Sequence, residues 1–487
     1  MSSVANYPLS TTSGLWFQEE AQAERRAARR DWLLFWLLVV PQLIVGGLCM
    51  HAGASRWVLL GAFSPILVAS ILNPFLGVAA LFALLPMDEL FVVTETTFTL
   101  AKVTAIFVVI GYLARAGRGR YSLLPTDPVT KASTAFGMLL LFSAVWSWAP
   151  LATLIWAVTP VLLMGITLIA VQLIDSRHRL EICLTALMLA GLVAGLLLTF
   201  KVVGVAEIDP GSEERVALGK ANPNHTGRIL ALVSVAAVAL LLYGRRYFIK
   251  LFTLGALPFA FVGVLMTKSK SASVCYVAAG IVATLMGLRA RVVTRVLFLG
   301  LLASAMFGVF AVAAASKVID PEKIFSRWSR LSATITTRSY IAVTGIGVWK
   351  SSVKNMVLGT GYGLFSYAYT EEAGRSIRLR GHLGMDPHNT WVKTLSETGV
   401  AGIGVLVWLT LAMLLAAWRT APGYAFVSWG VLGILGVASL DTSLTYHKFT
   451  WYSIALVGAT ARVFPRVREE EAAEPLLVDY HRVRALA

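Results

Sequence analysis

Long apolar runs, separated by short polar connections, occupy most of the chain. Fourteen of them have roughly the 17 to 25 residues that an α-helix needs to cross a bilayer. Two runs meet at Asn73-Pro74, which is either a tight hairpin between two spans or a break within one. The pattern therefore predicts an all-α polytopic integral membrane protein with about 12–14 transmembrane helices. The runs lie near residues 32–50, 57–72, 75–90, 98–114, 134–149, 152–174, 182–203, 226–244, 251–267, 273–288, 295–316, 397–418, 424–441 and 446–463.

Composition supports this class. Of the 487 residues, 57% are hydrophobic and only 14% are charged, and the mean hydropathy is +0.73. A soluble globular protein carries closer to a quarter of charged residues. The first apolar run, 32–50, is long for the core of a cleaved signal peptide and is predicted to be an uncleaved span. The three cysteines, Cys49, Cys183 and Cys275, lie inside apolar runs and predict neither a disulfide framework nor a metal cluster.

Basic residues alternate between the connections in the way that sets the orientation of membrane proteins. Lys and Arg concentrate in cytoplasmic loops, and an arginine cluster at 25–30 precedes the first span. With fourteen spans, every second connection after it is basic, so both termini are predicted to be cytoplasmic. The basic connections hold Arg115, Arg118, Arg120, Arg177, Arg179, Arg245, Arg246, Lys250, Arg289, Arg291, Arg295, Arg419, Arg462, Arg466 and Arg468.

The longest connection, residues 317–396, falls on the outer side and is itself basic. It holds eleven Lys or Arg residues against five Asp or Glu residues. Long loops escape the positive-inside rule, so the orientation stands. Either this segment is an ordinary solvated loop whose positive charge has no specific role, or it forms a cationic surface that binds a polyanion. The predicted organisation is a cytoplasmic segment 1–31, spans 1–11 within 32–316, the outer loop 317–396, spans 12–14 within 397–463, and a cytoplasmic tail 464–487.

Three more polar clusters fall on the same outer face. One is GSEERVALGKANPNHTGR before the eighth span, one is TKSKSAS after the ninth, and one is DTSLTYHK in the last outer turn. Each alone has a structural explanation, because Pro-Asn is turn chemistry and a lysine at a span end can snorkel. Together with the long loop they indicate a functional outer face. Their polar residues are Arg215, Lys220, Asn222, Asn224, His225, Arg228, Lys268, Lys270, Asp441, His447 and Lys448.

Five motifs in the second half of the chain follow one another on these outer connections. They are NPN (222–224) with Arg215 upstream, SKSA (269–272), Arg338 followed by Trp349, LGTGYGLF (358–365) and HNTWVKTLSETGVAG (388–402). In order and placement they resemble the O-antigen ligase and polymerase superfamily, bacterial membrane glycosyltransferases that use undecaprenyl-diphosphate-linked glycans. The HN followed by E-x-G leading into a span is the most specific of the five.

The resemblance implies transfer of a glycan from undecaprenyl diphosphate to an acceptor hydroxyl at the periplasmic face of the inner membrane. The leaving diphosphate needs fixed cations, and the candidates are Arg215, Lys268, Lys270 and Arg338. Lys270 stands where family members commonly carry arginine, so it supplies charge without a bidentate fork. No cluster with metal-ligand spacing is evident on the outer face, so the expected mechanism is metal-independent, without a cofactor. Neither composition nor motifs predict a nucleic-acid partner.

His388 is the predicted general base, because histidine titrates near neutral pH. Asn389 is expected to orient the ring or hold a sugar hydroxyl, and Glu397 to lend a supporting hydrogen bond. Direct attack opposite the diphosphate would invert the anomeric configuration. The other supporting residues implied by the family motifs are Asn222, Asn224 and Tyr362.

Functions of other classes also fit parts of the pattern. The GTGYG of 359–363 is similar to a potassium-channel filter, but it lies in a long polar loop. A transporter or flippase of lipid-linked glycans would place its charges near the membrane midplane, and a scaffold would need no histidine.

Within the superfamily, a ligase transfers the glycan to lipid A core and a polymerase to another lipid-linked unit. The arginines of RSIRLRGH (375–382) could bind a second diphosphate, or this segment could be a mobile lid. Binding of a second diphosphate would slightly favour a polymerase. A flippase and a chain-length regulator are the candidate protein partners, beside membrane lipids.

Overall fold

The computed structural model describes residues 11–51, 55–91, 99–119, 121–202, 216–219, 221–329, 331–368 and 386–466. Arg215, Lys220, the RSIRLRGH segment and the tail after residue 466 lie outside these ranges. Within them the named elements are helices, and there is no β-strand. The helices are α1 (Thr11–Leu34), α2 (Val40–His51), α3 (Arg56–Leu72), α4 (Pro74–Leu84), α5 (Leu100–Ala116), α6 (Pro128–Phe142), α7 (Pro150–Leu173), α8 (Arg177–Thr199), α9 (Pro223–Tyr243), α10 (Tyr247–Met266), α11 (Lys270–Val282), α12 (Val292–Ala315), α13 (Pro321–Ser329), α14 (Leu331–Lys350), α15 (Val353–Leu358), α16 (Thr390–Arg419), α17 (Ala425–Asp441) and α18 (Lys448–Val463).

The predicted fold class is confirmed: the chain is an all-α polytopic membrane protein. Among the described residues, nine helical segments are long and apolar enough to cross a bilayer, and α3 and α17 are shorter apolar helices. Each predicted apolar run overlaps at least one helix. The number of spans and their orientation stay predictions.

Helix α9 lies at the centre of the bundle and α12 at its edge. In α9, 83% of the most apolar stretch is buried, against 6% in α12. Helix α9 packs against α8, α10, α11 and α17, and two glycines permit the close approach. A Cβ atom at Gly191 of α8 would lie 2.3 Å from Val233, and one at Gly227 of α9 would lie 2.5 Å from Ala272. Inside a bilayer the hydrophobic effect does not drive helices together, so close packing at small residues such as these glycines drives their association instead.

The described part of segment 317–396 is largely helical, since α13, α14, α15 and the first turns of α16 fall within it. A search for long apolar runs does not find these helices, because they are short or mixed in polarity. Helix α16 begins at Thr390, seven residues before the predicted start of the twelfth span, because the Asn389 side chain caps it. Gly399 then breaks it with a φ of 63°, a conformation that favours glycine. Residues 390–398 therefore form a separate helical stretch ahead of the apolar part.

Candidate active site

Asp441, the last residue of α17, joins two arginines from separate helices. Arg228 of α9 donates hydrogen bonds to the Asp441 carboxylate at 2.5 Å and to the Ser271 hydroxyl at 2.8 Å. Arg338 of α14 forms an ion pair with the other carboxylate oxygen. Arg228 is only 1% exposed, and a buried guanidinium is tolerated when its charge is paired. One carboxylate thus faces two cations.

Asp386 organises the turn that carries His388. One of its oxygens accepts a hydrogen bond from Lys393 Nζ at 2.8 Å, and the other accepts from the His388 backbone N–H at 3.0 Å and from the Ser443 hydroxyl. The Lys393 ammonium also lies 5.0 Å from the centroid of the Tyr446 ring. Burial would raise the pKa of Asp386, but Lys393 and the hydrogen bonds hold it below its ordinary value. The carboxylate is therefore charged at neutral pH.

The His388 imidazole is presented at the surface of this cluster. The residue is exposed and has a φ of 49°, which non-glycine residues seldom adopt. Partial loss of hydration, together with the charges of Arg338, Arg228 and Lys393, lowers the pKa of His388 below its ordinary value, while Asp386 opposes the shift. The imidazole is thus predominantly neutral at pH 7, the state that a general base requires.

The start of α16 is attached to the end of α17 by side-chain hydrogen bonds. The Asn389 side-chain oxygen accepts from the backbone N–H groups of Trp391 and Val392 at 3.0 Å each, and its NH2 group donates to the Leu440 carbonyl at 3.3 Å. Thr390 donates its hydroxyl to the Thr442 carbonyl at 2.7 Å. Asn389 therefore positions the turn next to Asp441 with both ends of its amide engaged.

Glu397 holds the LGTGYGLF loop against α16. Its Oε1 accepts a hydrogen bond from the Phe365 N–H at 3.1 Å, while its buried Oε2 has no hydrogen-bond partner among the described residues. The carboxylate thus contacts the 359–365 loop, and no hydrogen bond to His388 is formed. Tyr362, buried in the same loop, shares a hydrogen bond of 3.1 Å with the Thr445 hydroxyl.

The backbone of the same loop packs on the break in α16. The Thr360 N–H donates to the Ser396 carbonyl at 3.1 Å and the Gly361 N–H to the Glu397 carbonyl at 2.9 Å. A Cβ atom at Gly359 would lie 2.2 Å from the backbone of Glu397, so glycine is required there. In a potassium filter the carbonyl groups face an ion path, whereas the Thr360 carbonyl accepts from the Trp148 N–H at 3.0 Å. The packing does not support the channel interpretation.

The NPN and SKSA motifs begin two neighbouring helices. Asn222 caps α9 by accepting from the Asn224 N–H at 2.9 Å. Ser269 caps α11 through the Ala272 N–H at 3.1 Å and donates its hydroxyl to the Asn224 side chain at 2.7 Å. These contacts place Lys268 and Lys270, both half-buried, beside the start of α9.

Two histidines that the sequence did not single out as site residues meet near the same helix end. The His225 and His447 rings share a hydrogen bond, with their centroids 3.9 Å apart. Lys448, the next residue, forms an ion pair with Asp88 and donates to the Thr99 hydroxyl at 3.0 Å. The contact between the two rings ties the start of α9 to the start of α18.

Residues 255–407 match the family model described as O-Antigen ligase. The predicted resemblance is confirmed by this match, which covers about a third of the chain. It supports a membrane enzyme of O-antigen or related polysaccharide assembly, with a glycosyltransferase-like ligase or polymerase activity. A comparison with curated proteins found no match.

The O-antigen ligase match runs from α10 into α16 and contains most of the motifs. The SKSA, Arg338, LGTGYGLF and HNTW segments all lie inside it. Arg228 and Asp441, which close the cluster from α9 and α17, lie outside it. The site is therefore assembled from the matched region and from helices on both sides of it.

Sequence reasoning underrated four members of this cluster: Arg228, Asp386, Lys393 and Asp441. Arg228 carried a usable signal, because a charge inside an apolar run is costly unless it has a partner or a function. The pairing of Asp441 with two arginines carried no signal, since its partners are distant in sequence. Within the described ranges, no group of three or more His, Cys, Asp or Glu residues could hold a metal ion.

Proposed function

We propose that the chain transfers a glycan from undecaprenyl diphosphate to an acceptor sugar hydroxyl at the periplasmic face, in polymerisation of O-antigen, capsule or exopolysaccharide. The observation that carries this proposal is that the ion pairs of Arg228 and Arg338 with Asp441 and of Lys393 with Asp386 flank the turn that carries the exposed His388. The carboxylates of Asp386 and Asp441 leave the group with an excess of positive charge. Such a site suits an anionic leaving group beside a hydroxyl to be deprotonated.

The reaction follows from these roles. The acceptor oxygen attacks C1 of the donor sugar as its proton passes to the His388 imidazole. The bond between C1 and the diphosphate oxygen breaks, and the lipid diphosphate leaves with both electrons of that bond. Attack from the opposite face inverts the anomeric configuration. No step uses a metal ion, because fixed cations supply the charge stabilisation.

Arg338 is the proposed cation nearest to the leaving group. Its side chain is 32% exposed, so a phosphate oxygen can reach it, and a guanidinium can bind two such oxygens in parallel. Arg228 is enclosed and holds Asp441 in place. Lys268 and Lys270 remain proposed ligands of the diphosphate, as does Arg215.

The transporter alternative fits less well. A transport site lies near the membrane midplane, whereas Arg228 is in the second turn of α9 and Asp441 is the last residue of α17. Both charges are therefore at helix ends that the predicted orientation places on the outer side.

The decisive experiment replaces His388 with Ala in the full-length protein and compares membrane abundance with polysaccharide production. The expected result is normal abundance without product. Product formed at the wild-type level would overturn the mechanism.

Analysis of the length of the glycans that a deletion strain makes distinguishes a ligase from a polymerase. The arginines of residues 375–382 exceed what one diphosphate needs, which slightly favours a polymerase. Loss of a polymerase leaves single repeats on the acceptor. Loss of a ligase instead leaves polymer on the lipid carrier. The second pattern would reassign the chain as a ligase that acts on lipid A core.

A further inference from the structure

Three arginines line a cavity at the end of the bundle that is predicted to be cytoplasmic. The cavity has a volume of about 620 Å³ and lies between the start of α6 and the ends of α16 and α18. Arg419 is the last residue of α16, Arg462 is in the last turn of α18, and Arg466 follows that helix. All three residues are exposed, so a ligand can reach them.

The described residues leave this arginine cavity with a positive charge. Asp127 is the one acidic residue among those that line it, and its carboxylate caps α6. One carboxylate oxygen accepts from the Val129 and Thr130 N–H groups at 3.0 Å each, and the other accepts from the Thr130 hydroxyl at 2.6 Å. The ion pairs found within the described ranges include none of the three arginines. Three guanidinium groups therefore face a single carboxylate.

Topology by itself explains arginine at these helix ends but not their convergence. The positive-inside rule places Lys and Arg in cytoplasmic connections, and Arg289 and Arg291 are examples that do not line this cavity. The rule concerns the number of basic residues in a connection, not their position relative to one another. It does not require arginines from two helices and from the residues after α18 to line the same cavity.

The residues that follow α18 are held along the edge of this cavity. The Ala421 N–H donates to the Phe464 carbonyl and the Arg466 N–H donates to the Arg419 carbonyl, both at 2.7 Å. The Phe464 ring also stacks on the Tyr424 ring, with the centroids 4.4 Å apart. These contacts fix the place where the chain leaves the bundle, and Arg466 at that place lines the cavity. The segment after Arg466 therefore starts at the cavity itself.

The sequence after Arg466 supplies the opposite charge. Its first eight residues hold four glutamates and one arginine: Glu469, Glu470, Glu471, Glu474 and Arg468. An extended residue spans at most about 3.6 Å, so Glu469 can lie no farther than about 11 Å from Arg466 and Glu471 no farther than about 18 Å. The other residues outside the described ranges on the predicted cytoplasmic side, 1–10 and Arg120, include no Asp or Glu. Carboxylates for this cavity are thus available from the tail.

We propose that the acidic segment 469–474 binds in the arginine cavity as an intramolecular ligand that joins the predicted cytoplasmic ends of α6, α16 and α18. A single exposed ion pair contributes little, so binding depends on several glutamates facing three arginines at once. An anionic phospholipid is also attracted to basic residues at cytoplasmic helix ends. The tail is favoured over a lipid because its covalent attachment gives the glutamates a high local concentration.

The test measures the rate of disulfide formation between two introduced cysteines in the full-length protein, held in nanodiscs of phosphatidylcholine. Thr126→Cys is on the cavity wall that precedes α6 and is exposed, and Ala472→Cys is within the acidic segment. The tail must enter the cavity to bring these two cysteines together. Variants with only one introduced cysteine should form no such cross-link, which excludes the native cysteines as the source.

The cross-linking rate is then compared in three charge variants of this protein. Arg419→Gln/Arg466→Gln removes cavity arginines, and Glu469→Gln/Glu470→Gln/Glu471→Gln removes tail carboxylates without changing the described bundle. Each is expected to slow cross-linking about tenfold, because the tail loses its multiple attachment. The control is Arg289→Gln/Arg291→Gln, which removes two exposed arginines of another predicted cytoplasmic connection and should cross-link at the unmodified rate.

A glutamate variant that cross-links as fast as the control would overturn the proposal, even if the arginine variant fails to fold. Loss of the cross-link when phosphatidylglycerol replaces phosphatidylcholine would also overturn it, because an anionic lipid would then occupy the cavity. The measurement uses no glycan substrate, so its outcome is independent of the proposed catalytic function.

Discussion

Two charged clusters at opposite ends of the bundle are built on different principles. At the end predicted to be cytoplasmic, the fully buried Asp31 receives Arg179 at 3.1 Å, His178 at 3.4 Å and Arg30 at 3.4 Å. At the end predicted to be periplasmic, Asp441 and Asp386 are only partly covered, and the described cations Arg228, Arg338 and Lys393 outnumber them.

The inner cluster is saturated in further ways. Arg179 also pairs with Asp175 at 3.0 Å, and Arg177 donates to Glu181 at 2.9 Å, so the three arginines of this cluster face three carboxylates. The Tyr424 hydroxyl donates to Glu181 at 2.6 Å. The outer cluster instead presents an exposed imidazole on a left-handed residue. Enclosed, satisfied pairs fix helices in place, whereas an open cluster with surplus charge can accept an anion. The comparison separates a structural role from a functional one, and substitutions at both ends can test it.

The largest effect is expected from paired histidine substitutions. Asparagine tolerates the left-handed conformation but cannot act as a base, so His388→Asn should lower the transfer rate about 10²–10⁴-fold. His178→Asn at the inner cluster should leave the rate per folded molecule unchanged. The measurement is product formation by purified protein with a lipid-linked donor. Equal losses in both variants would remove the distinction between the clusters.

The next effect is on stability and belongs to the inner cluster. Asp31→Asn removes the buried carboxylate that Arg179 and His178 share, whose side chains are each only 15% exposed, which should cost about 3–5 kcal/mol of folding free energy and lower the Tm in detergent. Activity per folded molecule should stay constant. The matched control is Arg30→Gln, whose arginine side chain is 62% exposed and whose loss should cost below about 1 kcal/mol. A fully stable Asp31→Asn protein would show that this cluster does not hold the helices.

Arg338→Gln is expected to lower the transfer rate and leave stability nearly unchanged, the reverse of Asp31→Asn. Loss of one preorganised donor to a developing charge typically costs about 10²–10³-fold in rate. Stability should change little, because Arg228 still pairs with Asp441 at 2.5 Å. Parallel rate and Tm measurements check this. A large fall in Tm with a normal rate would make Arg338 a structural residue.

The smallest effect is a shift in pH dependence. Arg338 destabilises protonated His388, so its removal raises the pKa of His388 towards the ordinary value. The acid limb of kcat/KM, where protonation removes the base, should therefore move to higher pH in Arg338→Gln. Arg338→Lys keeps the charge and should leave the limb in place. An identical shift in both variants would mean that another group controls the limb.

Much of this architecture was predictable because each membrane helix can be identified from a local stretch of the sequence. Each span needs its own run of apolar residues, so every predicted run overlaps a helix of the described structure. Cap residues such as Asn222, Asn389 and Ser269 act within three residues of their position. The helices α13 to α15 escaped prediction, because packing rather than a long apolar run stabilises them.

The sequence alone determined the class, the helices and the motif residues around His388, since each depends on neighbours along the chain. Only the tertiary structure decided that Arg228 and Arg338 share Asp441. Arg228 and Asp441, for example, lie 213 positions apart in the sequence. It likewise decided that arginines from the ends of α16 and α18 line one cavity. The physical reason is that apolar burial selects a helix locally, whereas a charge is compensated by whichever partner the packing of the bundle brings within reach.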